Sequence, residues 1–341
     1  MKKNKIMVTD PSMRDGNHAV NHSIDEYTIK SFVKAADFSN IPILEVGHGN
    51  GLGASSLSIG RSKISNLRAI KIAKKNSKKC KISSHSIPGF STFEDIMKAK
   101  DNGLDIIRIG ANATELDTIL PQIDFSKKIK LETWAVVMMS HLLQSNKDWK
   151  NKISLLEKSG IKKIIIMDSA GYYNPFDIEK IFKFLSKNFK NIVFGFHGHN
   201  NYGCAVWNTI TAVKNGAKII DSTIKGFGAG AGNTPTEIIV PILDSLGFYT
   251  DIDLVKLFDL VENFEKFFKK NSLFKLPTTE PINIMSARYG LFSGFAPKVK
   301  YLSKKLRLNP IDSFKAIGEK KLVAGQEDLI LNILVNLKKS L

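Results

Sequence analysis

Cysteine is scarce in this chain: Cys80 and Cys204 are the only two in 341 residues. So few, so far apart, leave neither a disulfide framework nor a cysteine metal cluster, and both are expected as reduced thiols. Long apolar runs are missing as well. The opening Met1-Lys2-Lys3-Asn4-Lys5-Ile6-Met7 passes from basic residues into a short apolar patch that Asp10, Arg14 and Asp15 soon break. Neither a signal-peptide core nor a membrane span is expected, which leaves no membrane role and the cytoplasm as the expected address. Acidic residues are in deficit, 32 against 50 lysines and arginines, for a formal charge of +18. An excess of that size raises polyanions as partners. Here it is diffuse: lysines recur over 71–81, 147–163 and 180–190 on the polar faces of helix-like stretches, and no aromatic-and-arginine cluster accompanies them. The pattern reads as a solvated lysine-rich surface with no nucleic acid partner, though one that still draws acidic metabolites.

What is present is ordinary folded-protein composition, 43% hydrophobic and 24% charged, in a length that suits one α/β barrel with an appendage. Short apolar runs at 6–9, 43–47, 81–84, 106–109, 133–138, 163–167, 192–196 and 218–223 read as eight strands. Amphipathic stretches lie between them, at 25–38, 64–75, 92–102, 149–159, 175–189, 202–215 and 235–246, and the weakest helical pattern is at 114–125. Several begin with a cap or proline, as at Asn174-Pro175 and Thr234-Pro235. Alternation of this kind predicts the α/β class and a closed (β/α)8 TIM barrel over residues 1–250. Residues 251–341 read as a helical C-terminal extension, suited to docking a partner or to oligomerisation.

In such a barrel the chemistry gathers where strands end. The polar residues fall there: Arg14, Asp15 and His18 after strand one, Glu45 and His48 at strand two, Asp168-Ser169 at strand six, and His197-Gly198-His199 at strand seven. Histidines two apart on a strand share a face, so both imidazoles can reach one ion. Two histidines with a carboxylate suit a first-row divalent metal and leave positions open, and Asp15 is the preferred carboxylate. Arg14 stands out among lysines as a fixed donor for a carboxylate or an enolate oxygen. His18 is placed to exchange protons with a substrate hydroxyl. The run Gly226–Asn233 offers either an anion site or a tight turn.

Taken together, Arg14-Asp15-Gly16-Asn17-His18, Glu45-Val46-Gly47-His48, Met138-Met139-Ser140-His141, Asp168-Ser169, His197-Gly198-His199, Gly228–Asn233 and Gly325–Asp328 resemble the 4-hydroxy-2-oxovalerate aldolases over nearly the whole chain. These are pyruvate-specific class II aldolases of the barrel superfamily that includes 3-hydroxy-3-methylglutaryl-CoA lyase. The resemblance implies reversible cleavage of a 4-hydroxy-2-oxo acid to pyruvate and an aldehyde through a metal-stabilised enolate. It implies a divalent ion, manganese before magnesium or cobalt, on Asp15, His197 and His199. Arg14 would stabilise the enolate, His18 would take the 4-hydroxyl proton, and Ser169 would seat the carboxylate. It also implies an acylating aldehyde dehydrogenase as partner, docked by the C-terminal part, although a helical pattern fits a homo-oligomer equally. Two departures concern substrate binding. Phe292 stands where the family carries a tyrosine, with Tyr289 nearby, and Ser84-His85-Ser86-Ile87 replaces pocket-lining leucines. A hydrogen-bonding pocket there predicts an aldehyde more polar than acetaldehyde. Two rival readings are a Claisen-type synthase or lyase acting on acyl-CoA, and a non-catalytic basic binding protein. The Asn17-His18 pair after Arg14-Asp15-Gly16 separates the chain from the first. The intact Arg14, Asp15, His197 and His199 set argues against the second.

Overall fold

The computed structural model describes residues 4–323 and 325–340; Met1–Lys3, where the basic opening begins, lie outside the described residues. Eight parallel strands close into a barrel, β1 (Met7–Met13), β2 (Ile43–Val46), β3 (Lys81–Ser86), β4 (Ile106–Asn112), β5 (Glu132–Met138), β6 (Lys163–Asp168), β7 (Val193–Gly198) and β8 (Ile219–Asp221), and β8 pairs back onto β1. Each expected strand is found. Alternation sorts their side chains: Ile43, Ile106, Trp134, Val136, Ile165 and Ile219 fill the barrel interior, while Leu44, Ile107, Ala135, Ile164 and Ile220 face the surrounding helices.

The helices are α1 (Glu26–Phe38), α2 (Asn66–Asn76), α3 (Phe93–Asp101), α4 (Leu120–Lys128), α5 (Asn146–Lys158), α6 (Pro175–Asn188), α7 (Ala205–Lys214) and α8 (Thr236–Ser245). Their starts follow local chemistry. Asn174 accepts from the backbone N–H groups of Phe176 and Asp177, and Pro175 supplies the first helical position. The weak pattern at 114–125 is a 3-10 turn, Leu116–Ile119, running into α4. Among the described residues no helix is long and apolar enough to cross a membrane.

Beyond the barrel, α9 (Leu254–Asn263) and the turn Phe264–Phe268 send Leu257, Leu260, Phe264 and Phe268 into the same core that surrounds the barrel. Then α10 (Pro281–Arg288), α11 (Ala296–Leu306), α12 (Pro310–Glu319) and α13 (Leu329–Ser340) form a second core from Leu291, Phe295, Val299, Phe314, Ile317 and Leu334. Met139, from the exit of β5, joins that second core and anchors the helical unit over the barrel mouth.

Candidate active site

Register sets the site. His197 on β7 pairs directly with Asp221 on β8, and both point inward with Glu45 of β2 and Arg108 of β4. β1 runs into Arg14 and Asp15, followed by the single turn Gly16–Ala19. Arg14 donates from Nε to Glu45 Oε2 at 2.8 Å and from Nη1 to Asp15 Oδ1 at 2.7 Å. Its Nη2 has no partner, leaving one buried donor available to a substrate oxygen. The glycine-rich run closes over the same group: the Ala229 N–H and Asn233 Nδ2 donate to Asp15 Oδ2 at 3.0 and 2.9 Å. Gly228 must be glycine there, since a Cβ would lie 2.6 Å from Asp15 Oδ2. Of the two uses expected for this run, the structure shows backbone gathered around a carboxylate.

Asp15, His197 and His199 bring one ligand atom each to within 4.8 Å of the others. The tautomers follow from their partners. His197 Nδ1 faces Asp221 Oδ2 at 2.9 Å and His199 Nδ1 faces the Ala229 carbonyl at 3.3 Å; both oxygens only accept, so both Nδ1 atoms carry the proton. The two Nε2 lone pairs are then turned toward each other at 3.3 Å. Such lone pairs repel unless a cation or a proton stands between them, and with Asp15 beside them the donor set fits a divalent metal. The ionisation states agree. Burial opposes the Asp15 charge, but the adjoining Arg14 guanidinium is the main influence that holds the carboxyl well below its ordinary range. Burial lowers His199 to about 4, with Asp15 opposing, so its lone pair is free at neutral pH.

His18 lies across Gly49, where a Cβ would meet its ring at 2.4 Å, and it faces a cleft of about 680 Å³ between the barrel mouth and the helical unit. Burial lowers its proton affinity, with Asp15 opposing and Arg14 assisting, which keeps a neutral base beside the cationic Arg14. Phe292 lines the same cleft with its ring 6.2 Å from that of His18. It is brought there by its neighbour Ser293, whose N–H and hydroxyl both donate to the Ser169 carbonyl, at 3.1 and 2.8 Å. Ser169 Oγ accepts from the Met139 N–H at 3.0 Å, which leaves its own O–H free to donate. Tyr289 follows α10 as its C-terminal cap and packs against the second core.

The segment at β3 divides. Ser84 donates to the Val46 carbonyl at 3.0 Å, and Ser86 bonds Ser91 and Gln122 at 2.6 and 2.8 Å, so neither hydroxyl serves a pocket. His85 is buried, and its Nδ1 has no partner. The reading of that stretch missed this division because outward and inward residues alternate. Sequence reasoning also passes over Asp221 and Arg108; both sit within strands, where a buried charge beside a strand-end motif is the signal that would have exposed them.

Fold and site together define a metal-dependent carbon–carbon lyase on a (β/α)8 barrel. The HMGL-like family profile matches residues 5–263, and a DmpG-like communication domain profile matches 277–339. The chain is 41% identical over 336 residues to the 4-hydroxy-2-oxovalerate aldolase of Pectobacterium atrosepticum, covering 98% of this chain and 96% of that one. It is 38% identical to the enzyme of that name from Spirochaeta aurantia, over the same shares of the two chains. The carboxyl transferase domain of Rhizobium etli pyruvate carboxylase shares the fold at 16% identity, with a TM-score of 0.83 over 100% of this chain and 61% of the other. The chain belongs to the HMGL-like family and, within it, to the 4-hydroxy-2-oxovalerate aldolases, so that the acyl-CoA and non-catalytic readings fall away.

Proposed function

We propose that Asp15, His197 and His199 hold the divalent ion, manganese by preference, and that Arg14, His18 and Ser169 carry out the cleavage of a 4-hydroxy-2-oxo acid around it. The observation that carries the reading is the facing pair of Nε2 lone pairs at 3.3 Å, which calls for a cation. When bound, that ion supplies Lewis acidity and neutralises charge next to the 2-oxo group. Charge supports the substrate. Arg14 and Arg108 set two buried positive charges against three negative ones on Asp15, Glu45 and Asp221, a balance of minus one. A divalent ion brings that to plus one, and a monocarboxylate completes it, so a 2-oxo monoacid neutralises this cluster of five side chains.

Within that frame His18 takes the 4-hydroxyl proton and the C3–C4 bond breaks. Its electrons move onto the pyruvate-derived part as an enolate, whose oxygen accepts from the free Nη2 of Arg14. The Ser169 O–H donates to the carboxylate. Protonation of C3 then gives pyruvate. On the leaving aldehyde side, the unpartnered His85 Nδ1 favours a tail carrying a hydroxyl over a plain alkyl tail.

The helical part, expected to begin at residue 251, serves partner docking in this reading. Its residues divide by packing, with 254–268 on the barrel core and 282–337 on a core of their own. The match to a communication domain supports an aldehyde-consuming dehydrogenase as the partner, ahead of self-association. The test of the site is pyruvate release from 4-hydroxy-2-oxo acids, with chelator, with added manganese, and with Asp15→Ala. Release that needs the metal and disappears in the variant is the expected result. Undiminished release in chelator, or in Asp15→Ala, rejects this assignment.

A further inference from the structure

Arg108 belongs to no loop and reaches no open surface. It sits midway along β4, fully buried, with its guanidinium carbon 5.9 Å from the centre of the Trp134 ring. From there it crosses the barrel interior to two carboxylates on different strands. Nη2 donates to Asp221 Oδ2 on β8 at 2.5 Å, and Nη1 lies 3.3 Å from Glu45 Oε2 on β2, an ion-pair contact in which Nη1 makes no hydrogen bond. Each of those oxygens is shared with a residue of the site. Asp221 Oδ2 also accepts a hydrogen bond from His197 Nδ1, at 2.9 Å, and Glu45 Oε2 accepts one from Arg14 Nε, at 2.8 Å.

We propose that Arg108 is the positioning residue of this site, one guanidinium that sets a metal-binding imidazole through Asp221 and the enolate-binding arginine through Glu45. Asp221 has its Oδ2 held between Arg108 Nη2 and His197 Nδ1, while its Oδ1 has no partner. Without Arg108 nothing but the imidazole itself fixes which way that carboxylate is turned, and the His197 ring loses the rigid acceptor that directs its Nε2 toward Asp15 and His199. Glu45 keeps Arg14 as a counter-ion, but loses the second contact that fixes which way its carboxylate is turned. A guanidinium suits the task because its planar fork presents several donors in fixed directions. A lysine has three donors on a single rotating nitrogen, so it supplies the charge without holding both carboxylates in fixed directions.

The proposal rests on the metal and arginine assignments above, and the experiment separates the two. Manganese affinity of the metal-free, full-length protein is measured from free-ion EPR signal for wild type, Arg108→Met, Arg108→Lys, Asp221→Asn and the Arg108→Met/Asp221→Asn double variant, each checked by near-UV circular dichroism. Pyruvate release is followed alongside. Loss of a partner behind a ligand costs roughly 10- to 100-fold in metal affinity, and that loss is expected for folded Arg108→Met, with kcat reduced as well. Arg108→Lys should fall between it and wild type. In the Asp221→Asn background, Arg108→Met should weaken manganese binding by no more than about threefold, because the route is already cut.

A folded Arg108→Met that binds manganese within about twofold of wild type overturns the proposal, as does full additivity of the two losses. Should Arg108→Met not fold, Arg108→Lys decides by the same measure. Wild type that binds manganese yet releases no pyruvate rejects the aldolase assignment alone and leaves the affinity comparison standing.

Discussion

The two ends of the barrel both hold a carboxylate between two cations, and they use it differently. At the bottom, Glu132 opens β5 and accepts from Lys81 and Lys163, each at 2.7 Å, and from Trp134 Nε1 at 2.9 Å. Its side chain is 31% exposed, so the cluster is open to solvent. At the mouth, Glu45 lies between Arg14 and Arg108 with no exposure at all, and Glu45 Oε1, Asp221 Oδ1 and Arg14 Nη2 have no partners. Trp134 touches both groups, with Lys163 Nζ 4.8 Å from its ring centre and Arg108 at 5.9 Å. A closed, solvated cluster adds to stability and asks nothing of a ligand. A buried cluster with free donors and a net charge is incomplete until something binds, and that separates a structural from a functional polar network in one barrel.

The comparison predicts that changes at the mouth act on rate and changes at the bottom on stability. The largest effect falls on Arg14, whose unpartnered Nη2 is aimed where charge develops. Arg14→Ala should lower kcat by roughly 10²- to 10³-fold, the range for loss of one such donor. A steady-state assay with saturating manganese reads it, and a rise in KM with kcat unchanged would place Arg14 in ground-state binding. Next comes His18→Ala, with a loss of about 10²-fold as general bases typically show. A small exogenous base such as imidazole should restore part of that rate, because the ring faces the cleft. No loss would move proton removal to another group.

Eight strands, their order and the helical appendage were legible because alternating apolar periods survive in a barrel whose lysines stay outside. The cluster of Asp15, His197 and His199 was legible for a related reason: these residues, with Arg14, stand at strand ends, in short polar motifs where an apolar run stops. Arg108 and Asp221 were not, since each reads as one polar residue inside a strand, and only closure of the barrel brings β4, β2 and β8 to a common centre. Ser84 and Ser86 misled in the opposite direction. They look like pocket polarity in sequence, yet alternation turns them toward Val46 and Gln122 and leaves His85 alone inside.

That single imidazole gives the third prediction. His85→Leu removes a free buried nitrogen and returns an apolar wall, so the ratio of kcat/KM for hydroxylated over alkyl tails should fall by roughly tenfold. Burial and the nearby Arg14 and Arg108 hold His85 well below its ordinary proton affinity, so it acts as a neutral hydrogen-bonding group and the ratio should not change between pH 6 and 8. An unaltered preference in His85→Leu would assign tail selection to the residues lining the cleft, Phe292 first among them.

The smallest effect tests the other end. Burial raises the Glu132 carboxyl, but Lys163, Lys81 and Trp134 outweigh it and bring it down to about 2. A carboxylate depressed on folding contributes stability above its unfolded value, and that contribution is lost as pH falls through the folded one. Glu132→Gln should therefore cost about 1 kcal/mol at neutral pH, discounted for its partial exposure, with kcat and manganese affinity unchanged. The gap between wild type and variant in urea midpoint should be steady from pH 8 to 5 and narrow as pH falls from 5 toward 3. A gap that persists undiminished at pH 3 would mean the loss comes from packing around Trp134. A fall in kcat would join the two ends through that indole and remove the distinction between them.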